Sequence, residues 1–274
     1  MRPSNAQAQI ELHRALAPRY AYRYGFEFSR RFQEDWHAEL MAHVPPGARR
    51  LLDLGCGTGF FLAELAAKHP GAVGLDISHD MLKVSGQYVP DARVVTGDAE
   101  KLPFRDGAFD AVFCKGSLHH TRDHVGFLAN CRTALARDGV LVMSEPCNDN
   151  PLIRGARWLL YKVSPHFHEE DEGFRRKQIA ALCEQAGFEV LLVKKYGFLA
   201  YTLAGFPDHL PILRWIPGNA AITSFLIRVD RVLCATPLLS ILGFHVVVVG
   251  RPRRNLAPDA VAVPHASKTL HAHT

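Results

Sequence analysis

The sequence predicts a doubly wound α/β fold, in which helices cover both faces of a mostly parallel sheet. Short apolar runs alternate with helical stretches between residues 49 and 250, a pattern typical of parallel strands joined by crossover helices. Three glycines follow the first of these runs directly and precede a helix. The 274 residues are 48% hydrophobic, which is enough for one substantial core.

The elements follow in chain order from these patterns. The first apolar run ends at the glycine turn, and apolar residues at helical spacing then predict a helix over 60–68. Ser78 is a good N-cap for a helix after the second strand. Asp138-Gly139 predicts the end of a later helix. The predicted strands lie at 50–54, 72–76, 92–96, 108–114, 140–143, 188–196 and 244–250, and the later helices at 121–136 and 174–186.

Several segments lie outside this alternation. Residues 1–48 form an aromatic-rich lead-in that we expect to be a helical N-terminal cap on a domain at 49–250. Two insertions, at about 147–173 and 197–242, interrupt that domain. Residues 251–274 contain proline, alanine and scattered histidine, which predicts a disordered tail.

Composition and charge exclude several classes of protein. A charged fraction of 22% excludes a largely disordered chain, and the basic residues behind the net charge of +5 are scattered, so no nucleic-acid partner is expected. Six widely spaced cysteines without a CxxC pair indicate reduced thiols. The N-terminus is polar, and no apolar run is long enough to span a bilayer. These features predict a soluble cytoplasmic protein, at most peripheral at a membrane.

The glycine turn is the most informative motif. Gly55, Gly57 and Gly59 alternate between a buried strand and a helix, where glycine lets a ligand approach the backbone and the helix presents unpaired N–H groups. A dinucleotide site needs its third glycine at position 60, where this chain has Phe60. A phosphate-binding P-loop needs a Gly-Lys-Ser/Thr that is missing. The spacing therefore argues against both of these nucleotide sites.

The stretch Asp53-x-Gly55-x-Gly57-x-Gly59 resembles the first motif of class I S-adenosylmethionine-dependent methyltransferases, whose loop wraps the methionine and ribose part of the cofactor. The resemblance is to the small-molecule branch that includes the ubiquinone and menaquinone C-methyltransferases and natural-product enzymes. Four later stretches resemble this family's further motifs in order: 74–78, 97–104, 109–120 and 135–141. Asp138 and Val140 depart from the usual proline and glycine of the last one, in what we expect to be a surface turn.

The resemblance implies the Rossmann-like methyltransferase fold, a seven-stranded sheet whose last strand is antiparallel. It also implies S-adenosylmethionine as cofactor, with S-adenosylhomocysteine as product. Asp76 would accept the ribose hydroxyls, a role that suits a carboxylate. Asp98 would receive the adenine amino group, and Ala99 would contact the ring edge. The other cofactor contacts implied are Asp53, Cys56, Ile77, Met81, Lys115 and, from the N-terminal segment, Tyr24.

Three residues are candidate bases. Methyl transfer requires an acceptor nucleophile aligned with the methyl–sulfur bond and requires no metal. His119 and His120 follow the fourth strand at the ligand-binding edge, and histidine titrates near neutrality. Glu145 ends the fifth strand at the same edge. The alternatives are that the histidines shape the pocket, and that Glu145 is structural or bonds to the substrate.

The two insertions bear on the acceptor. In the family's topology both leave from the carboxyl edge, so we expect them to form an apolar helical lid over the cofactor. A lid this apolar predicts a small lipophilic acceptor, methylated on oxygen or carbon with nitrogen and sulfur left open, or docking on a membrane surface. Core packing or a homodimer face explains the composition equally well. The alternative functions are an RNA or protein methyltransferase and a non-catalytic cofactor-binding protein.

Overall fold

The computed structural model describes residues 24–151, 153–155, 173–205, 207 and 211–254, together with residues 10, 11, 14 and 17. Its strands are β1 (Leu51–Leu54), β2 (Val73–Asp76), β3 (Arg93–Thr96), β4 (Phe109–Lys115), β5 (Leu135–Pro146), β6 (Phe188–Tyr196) and β7 (His245–Pro252). Its longer helices are α1 (Glu27–Met41), α2 (Phe60–Lys68), α3 (His79–Tyr88), α4 (His124–Ala134), α5 (Arg176–Gln185) and α6 (Asn219–Ala235).

The strands form one seven-stranded sheet in the order β3-β2-β1-β4-β5-β7-β6. The first five strands pair in parallel, and β7 runs antiparallel between β5 and β6. Leu54 at the end of β1 pairs with Leu75 of β2 and Cys114 of β4. The loops that follow these three strands therefore share the carboxyl edge of the sheet. The predicted fold class and the antiparallel last strand are confirmed.

Helices cover both faces of the sheet, because side chains alternate between the faces along each strand. On one face, Phe113 of β4 and Val142 of β5 pack with α1 and α2. On the other face, Val112 and Leu141 pack with α4 and α5. The two layers enclose the strands and leave the carboxyl edge for a ligand.

Helix α1 is a core element of the main domain. Phe28, Phe32, Trp36 and Leu40 recur every four residues, so they lie along one side of the helix, and all four are buried. They belong to the same apolar cluster as Phe113. Helix α1 is therefore part of the layer that covers the sheet, and the cap over 1–48 as a whole stays a prediction.

Strand β5 is much longer than predicted, and helix α4 is shorter. The strand starts at Leu135, so the turn expected at Asp138 and Gly139 is extended backbone. Leu135 pairs with Phe109, and a register shift before Ala111 accommodates the added length. These contacts join residues distant in sequence, and local propensity does not report them. Strand β7 likewise continues to Pro252, beyond the predicted domain end at 250.

The insertion at 197–242 contributes a further layer. It opens with a π-helical turn at Tyr201–Gly205, and α6 then packs against α1 and β6. Its first turn lies beside α1, where Gln33 approaches Gly205. Most of the insertion at 147–173 and the tail after 254 lie outside the described residues, so the lid and the disordered tail stay predictions. None of the described helices has the length and apolar composition needed to cross a membrane.

Candidate active site

The glycine loop joins β1 to α2 at the carboxyl edge. Gly55, Gly57 and Gly59 have φ angles of 76°, 53° and 82°, in the left-handed region that favours glycine. A Cβ on Gly55 would collide with the Ser117 hydroxyl, and one on Gly59 with the Ser85 hydroxyl. A Cβ on Gly57 would meet nothing within 4 Å. The outer glycines are therefore fixed by packing, and the middle one faces open space beside the loop.

Asp53 is buried in β1 directly below this loop. Its Oδ2 atom has no hydrogen-bond partner within the described part of the chain. Burial raises the pKa of the Asp53 carboxyl to about 7, while the Lys115 charge lowers it and the Asp76 charge raises it. An unpaired buried carboxylate oxygen is costly, so this atom is suited to a donor supplied by a ligand.

Asp76 ends β2 beside the loop. One carboxylate oxygen accepts a hydrogen bond from the Gly57 N–H at 2.8 Å, and the other accepts one from the Ser78 N–H at 2.8 Å. Burial raises the pKa of Asp76, and these two bonds and the nearby His120 oppose the rise. Ser78 caps α3 by accepting from the Met81 N–H at 3.3 Å, as predicted.

Two further predicted cofactor residues lie in the loop after β3. Asp98 accepts a hydrogen bond from the Glu100 N–H at 2.8 Å, and the preceding Gly97 N–H donates to the Asp76 carbonyl at 3.0 Å. Ala99 is partly buried against the apolar cluster that contains Val112 and Leu141. Ile77, the residue after Asp76, is half-buried. The structure thus brings the predicted ribose and adenine residues to adjacent loops.

Tyr24, from the N-terminal segment, packs against the start of α2, the helix that follows the glycine loop. Its ring stacks on that of Phe60, with ring centroids 3.4 Å apart and planes within 2°. Further back in the chain, Arg14 pairs with Asp80 in the first turn of α3 at 2.9 Å. The N-terminal segment therefore reaches two of the elements that frame the glycine loop. Cys56 is buried within the loop.

His119 and Glu145 form a pair at the end of β4 and β5. The Nδ1 atom of His119 lies 2.7 Å from Oε2 of Glu145. The other oxygen of Glu145 accepts from the N–H groups of Ser117 at 3.0 Å and Leu118 at 2.9 Å. Although burial raises the pKa of Glu145, the His119 side chain and these N–H groups bring it below its ordinary value. The His120 ring lies 4.0 Å from that of His119, centroid to centroid.

The pairing assigns the proton on His119. An ionised carboxylate only accepts hydrogen bonds, so Nδ1 of His119 carries the proton and Nε2 is left as an acceptor. The His119 side chain keeps 11% of its exposure, whereas that of Glu145 has none. Contact with an acceptor is therefore open to His119, while Glu145 orients the imidazole.

Lys115 belongs to a partly buried polar network that its motif in the sequence does not predict. Its Nζ atom lies 2.9 Å from Oε1 of Gln33 and 2.7 Å from Nε2 of His37, both on α1. Nδ1 of His37 lies 2.6 Å from Oε1 of Glu64. Burial, with the Lys115 charge, holds the pKa of His37 well below its usual range. Burial raises the pKa of Glu64 to about 7.

A signal for this network existed in the sequence. Ser29, Gln33 and His37 recur every four residues, next to the apolar stripe of α1. Polar side chains in that position are carried into the interior with the stripe. Within the described residues, no group of three metal-ligating side chains is arranged to bind an ion.

Comparison with known proteins extends these observations. Residues 52–143 match the family model described as a methyltransferase domain. The chain is 32% identical over 190 residues to the demethylmenaquinone methyltransferase of Lactiplantibacillus plantarum, a match that covers 60% of this chain and 80% of that protein. It is 36% identical over 143 residues to the trans-aconitate 2-methyltransferase of Deinococcus radiodurans, covering 50% and 53%. The chain thus spans about half the length of several curated relatives.

A solved structure shares the fold. The S-adenosylmethionine-dependent methyltransferase of Thermotoga maritima superposes with a TM-score of 0.60 at 17% identity, covering 89% of this chain and 99% of that one. The fold, the site and the relatives together show that the chain belongs to the class I S-adenosylmethionine-dependent methyltransferases. The predicted family and cofactor are confirmed.

Proposed function

We propose that this protein transfers the methyl group of S-adenosylmethionine to a small lipophilic acceptor, on oxygen or carbon. The observation that carries the proposal is the buried Asp53 oxygen without a partner in the described part of the chain, beneath a loop whose middle glycine faces open space. Burying an oxygen without a hydrogen-bond donor costs free energy, and a ligand that supplies the donor would recover that cost. The cofactor carries an ammonium group on its methionine part, which is the kind of donor that this oxygen lacks.

The cofactor would be held by groups from three adjacent loops. Asp53 and the glycine loop would bind its methionine part, and Asp76 its ribose hydroxyls. Both oxygens of Asp76 already accept one hydrogen bond each, and a carboxylate oxygen has a second lone pair to offer. Asp98 and Ala99 would contact the adenine. When bound, the cofactor supplies an activated methyl group on a sulfonium centre.

His119 would act as the base. Its protonated Nδ1 donates to Glu145, so Nε2 is available to take a proton from an acceptor hydroxyl or acidic C–H as the new bond forms. Glu145 would stabilise the resulting imidazolium, because its carboxylate is ionised and 2.7 Å away. We infer that Glu145 acts through His119, since its own side chain is fully buried. His120 would shape the pocket between His119 and Asp76.

The lipophilic acceptor is favoured by the aromatic surroundings of the β5–β7 ends. The hydroxyl of Tyr201, near the start of the second insertion, lies 3.1 Å from Nε2 of His245. The Trp36 ring packs edge-on against the His245 ring, with centroids 4.6 Å apart. Aromatic walls with a few placed polar atoms are typical of sites for apolar small molecules. The named relatives act on a quinone precursor and on an organic acid, so both acceptor classes belong in the test.

Calorimetry with S-adenosylhomocysteine tests the cofactor site. Micromolar binding is expected, with NADH as the negative control. Asp76→Ala should weaken binding by about tenfold to a hundredfold, the scale of a lost charge-assisted hydrogen bond. Asp91→Ala removes an exposed carboxylate near β3 and should leave binding unchanged. Equal affinity in both variants would refute the site.

Turnover separates an enzyme from a cofactor-binding protein. A panel of quinols, prenylated phenols and organic acids, with RNA and protein added as alternative acceptors, would be tested with a labelled methyl donor. Transfer to the lipophilic acceptors is expected. His119→Gln should lower kcat by about a hundredfold or more while leaving the S-adenosylhomocysteine affinity intact. Transfer only to RNA, protein or organic acids would overturn the lipophilic assignment.

A further inference from the structure

Exposed apolar side chains are concentrated in one part of the molecule. Eight of the eleven large apolar side chains that are exposed in the described part of the chain lie within residues 211–242. Soluble monomers seldom gather such groups without a use. We call this region the α6 surface; it comprises the outer side of α6 and the short turns at its two ends. Its most exposed apolar members are Leu238, Trp215, Val232, Phe225, Ile212 and Ile241.

The two sides of α6 differ in burial. Thr223, Ile227 and Asp230 are buried, toward α1 and β6. Phe225 and Val232 lie on the opposite side and are 61% and 66% exposed. Spacings of seven residues within each set keep its members on one side of a helix. Within the described part of the chain, the apolar side chains of the outer stripe thus have no core to pack against.

The exposed charges of this surface have one sign. Residues 211–242 contain three arginines and one acid. The acid, Asp230, is buried and accepts hydrogen bonds from the N–H groups of Phe198, Leu199 and Ala200 at 2.7, 2.8 and 3.0 Å. The exposed charges within this stretch are therefore all positive: Arg214, Arg228 and Arg231, the last of which pairs with the buried Asp35 of α1.

Apolar groups mixed with exposed positive charge, without exposed acids, complement an anionic phospholipid surface. A twofold contact with a second copy would bring these arginines toward each other, which charge repulsion opposes. We propose that the α6 surface docks this protein on the face of an anionic bilayer. Trp215 and Phe225 would enter the headgroup boundary, and Arg228 would contact lipid phosphates.

The position of the surface in the chain connects it to the site. The insertion leaves the sheet after β6 and returns at β7, where the Phe244 N–H donates to the Gly197 carbonyl at 2.7 Å. Both ends lie at the carboxyl edge, next to Tyr201 and His245. Resting on the proposed lipophilic acceptor, this arrangement would bring the site toward the bilayer in which such an acceptor dissolves.

Vesicle co-sedimentation of the full chain tests the proposal. The protein should sediment with phosphatidylglycerol vesicles, remain in solution with phosphatidylcholine vesicles, and be released by salt. Trp215→Ser, Phe225→Ser and Arg228→Glu should each weaken sedimentation by about tenfold. Val94→Ser and Arg93→Glu are matched controls, because both side chains are exposed on β3, which forms the edge of the sheet opposite to β6. The controls should sediment like the unmodified protein.

Three results would overturn the docking proposal. The first is no sedimentation with phosphatidylglycerol, and the second is equal losses in the controls. The third is a dimer in solution that Phe225→Ser dissociates, since a second copy would then cover the surface. Cofactor binding and turnover of a detergent-dissolved acceptor, measured on the same variants, should be unchanged. Failure of the unmodified protein to dock, with turnover retained, would refute only this inference, whereas absent turnover of the unmodified protein would refute the proposed function.

Discussion

Replacing Asp53 with asparagine should stabilise the ligand-free protein and weaken its cofactor site at the same time. The substitution keeps the shape of the side chain and removes its ability to ionise. Asp53 is 2% exposed, and its Oδ2 atom has no partner in the described part of the chain. Its ionisation is therefore a cost to folding, which the Lys115 charge offsets in part and a bound cation would offset further.

The magnitude follows from the pKa. A rise from the ordinary 3.8 to about 7 corresponds to about 4 kcal/mol of differential stability. Between these values the folded protein holds a proton that the unfolded chain has lost, so the Asp53 contribution to stability falls as pH rises from 3.8 to about 7, and it stays low above that. An asparagine side chain does not titrate. The free energy of unfolding of Asp53→Asn should therefore exceed that of the unmodified protein by an amount that grows across this window and reaches about 4 kcal/mol at pH 8.

Urea unfolding at several pH values measures the gain in stability, and calorimetry measures the loss of cofactor affinity. Unmodified protein should gain S-adenosylhomocysteine affinity as pH rises toward 8, because the ligand's ammonium needs the ionised carboxylate. Asp53→Asn should bind more weakly and lose this dependence. Asp110→Asn is the opposite control: its pKa is held at about 2 by Arg50, so the change should destabilise. Two results would refute the reasoning. Asp53→Asn could be less stable than the unmodified protein at pH 8, or the difference in their free energies of unfolding could stay the same at every pH.

Two further substitutions address positioning within the site. Glu145→Gln should lower kcat by about tenfold to a hundredfold without changing S-adenosylhomocysteine affinity, because the carboxylate that stabilises the His119 imidazolium is lost; an unchanged kcat would exclude that role. Gly59→Ala should destabilise the protein by about 2 kcal/mol, since its φ is 82° and the new Cβ would strike the Ser85 hydroxyl. Adding Ser85→Ala should recover the part due to that collision, and Gly86→Ala, in open space on α3, should stabilise slightly by urea unfolding.

Much of the fold could be predicted because its signals are local. Helix α2 and strand β6 have the bounds that the sequence predicts, and the three loop glycines adopt the positive φ angles that their pattern demands. The side-chain cap at Ser78 likewise depends on a contact within one turn, between the Ser78 hydroxyl and the Met81 N–H. Each of these features depends on neighbours along the chain, and hydrophobic periodicity or turn chemistry reports them directly.

The errors fall where distant residues decide the structure. The early start of β5 depends on the pairing of Leu135 with Phe109, and the role of α1 depends on Gln33 and His37 meeting Lys115. The helical period of α1 can be recognised in the sequence. Its position over the end of β4, where Lys115 lies, cannot. The pairing of His119 with Glu145 also cannot be predicted from the sequence, because the two residues are 26 positions apart and only the register of the sheet brings them together.

Helix α1 joins the proposed cofactor site to the proposed acceptor side through two of its neighbouring side chains. Gln33 contacts Lys115, whose charge lowers the pKa of Asp53. Trp36, on the next turn, donates to the Ser144 hydroxyl at 3.0 Å and packs against His245, which faces Tyr201. A shift of α1 would therefore change both the charge balance around Asp53 and the wall that faces the acceptor.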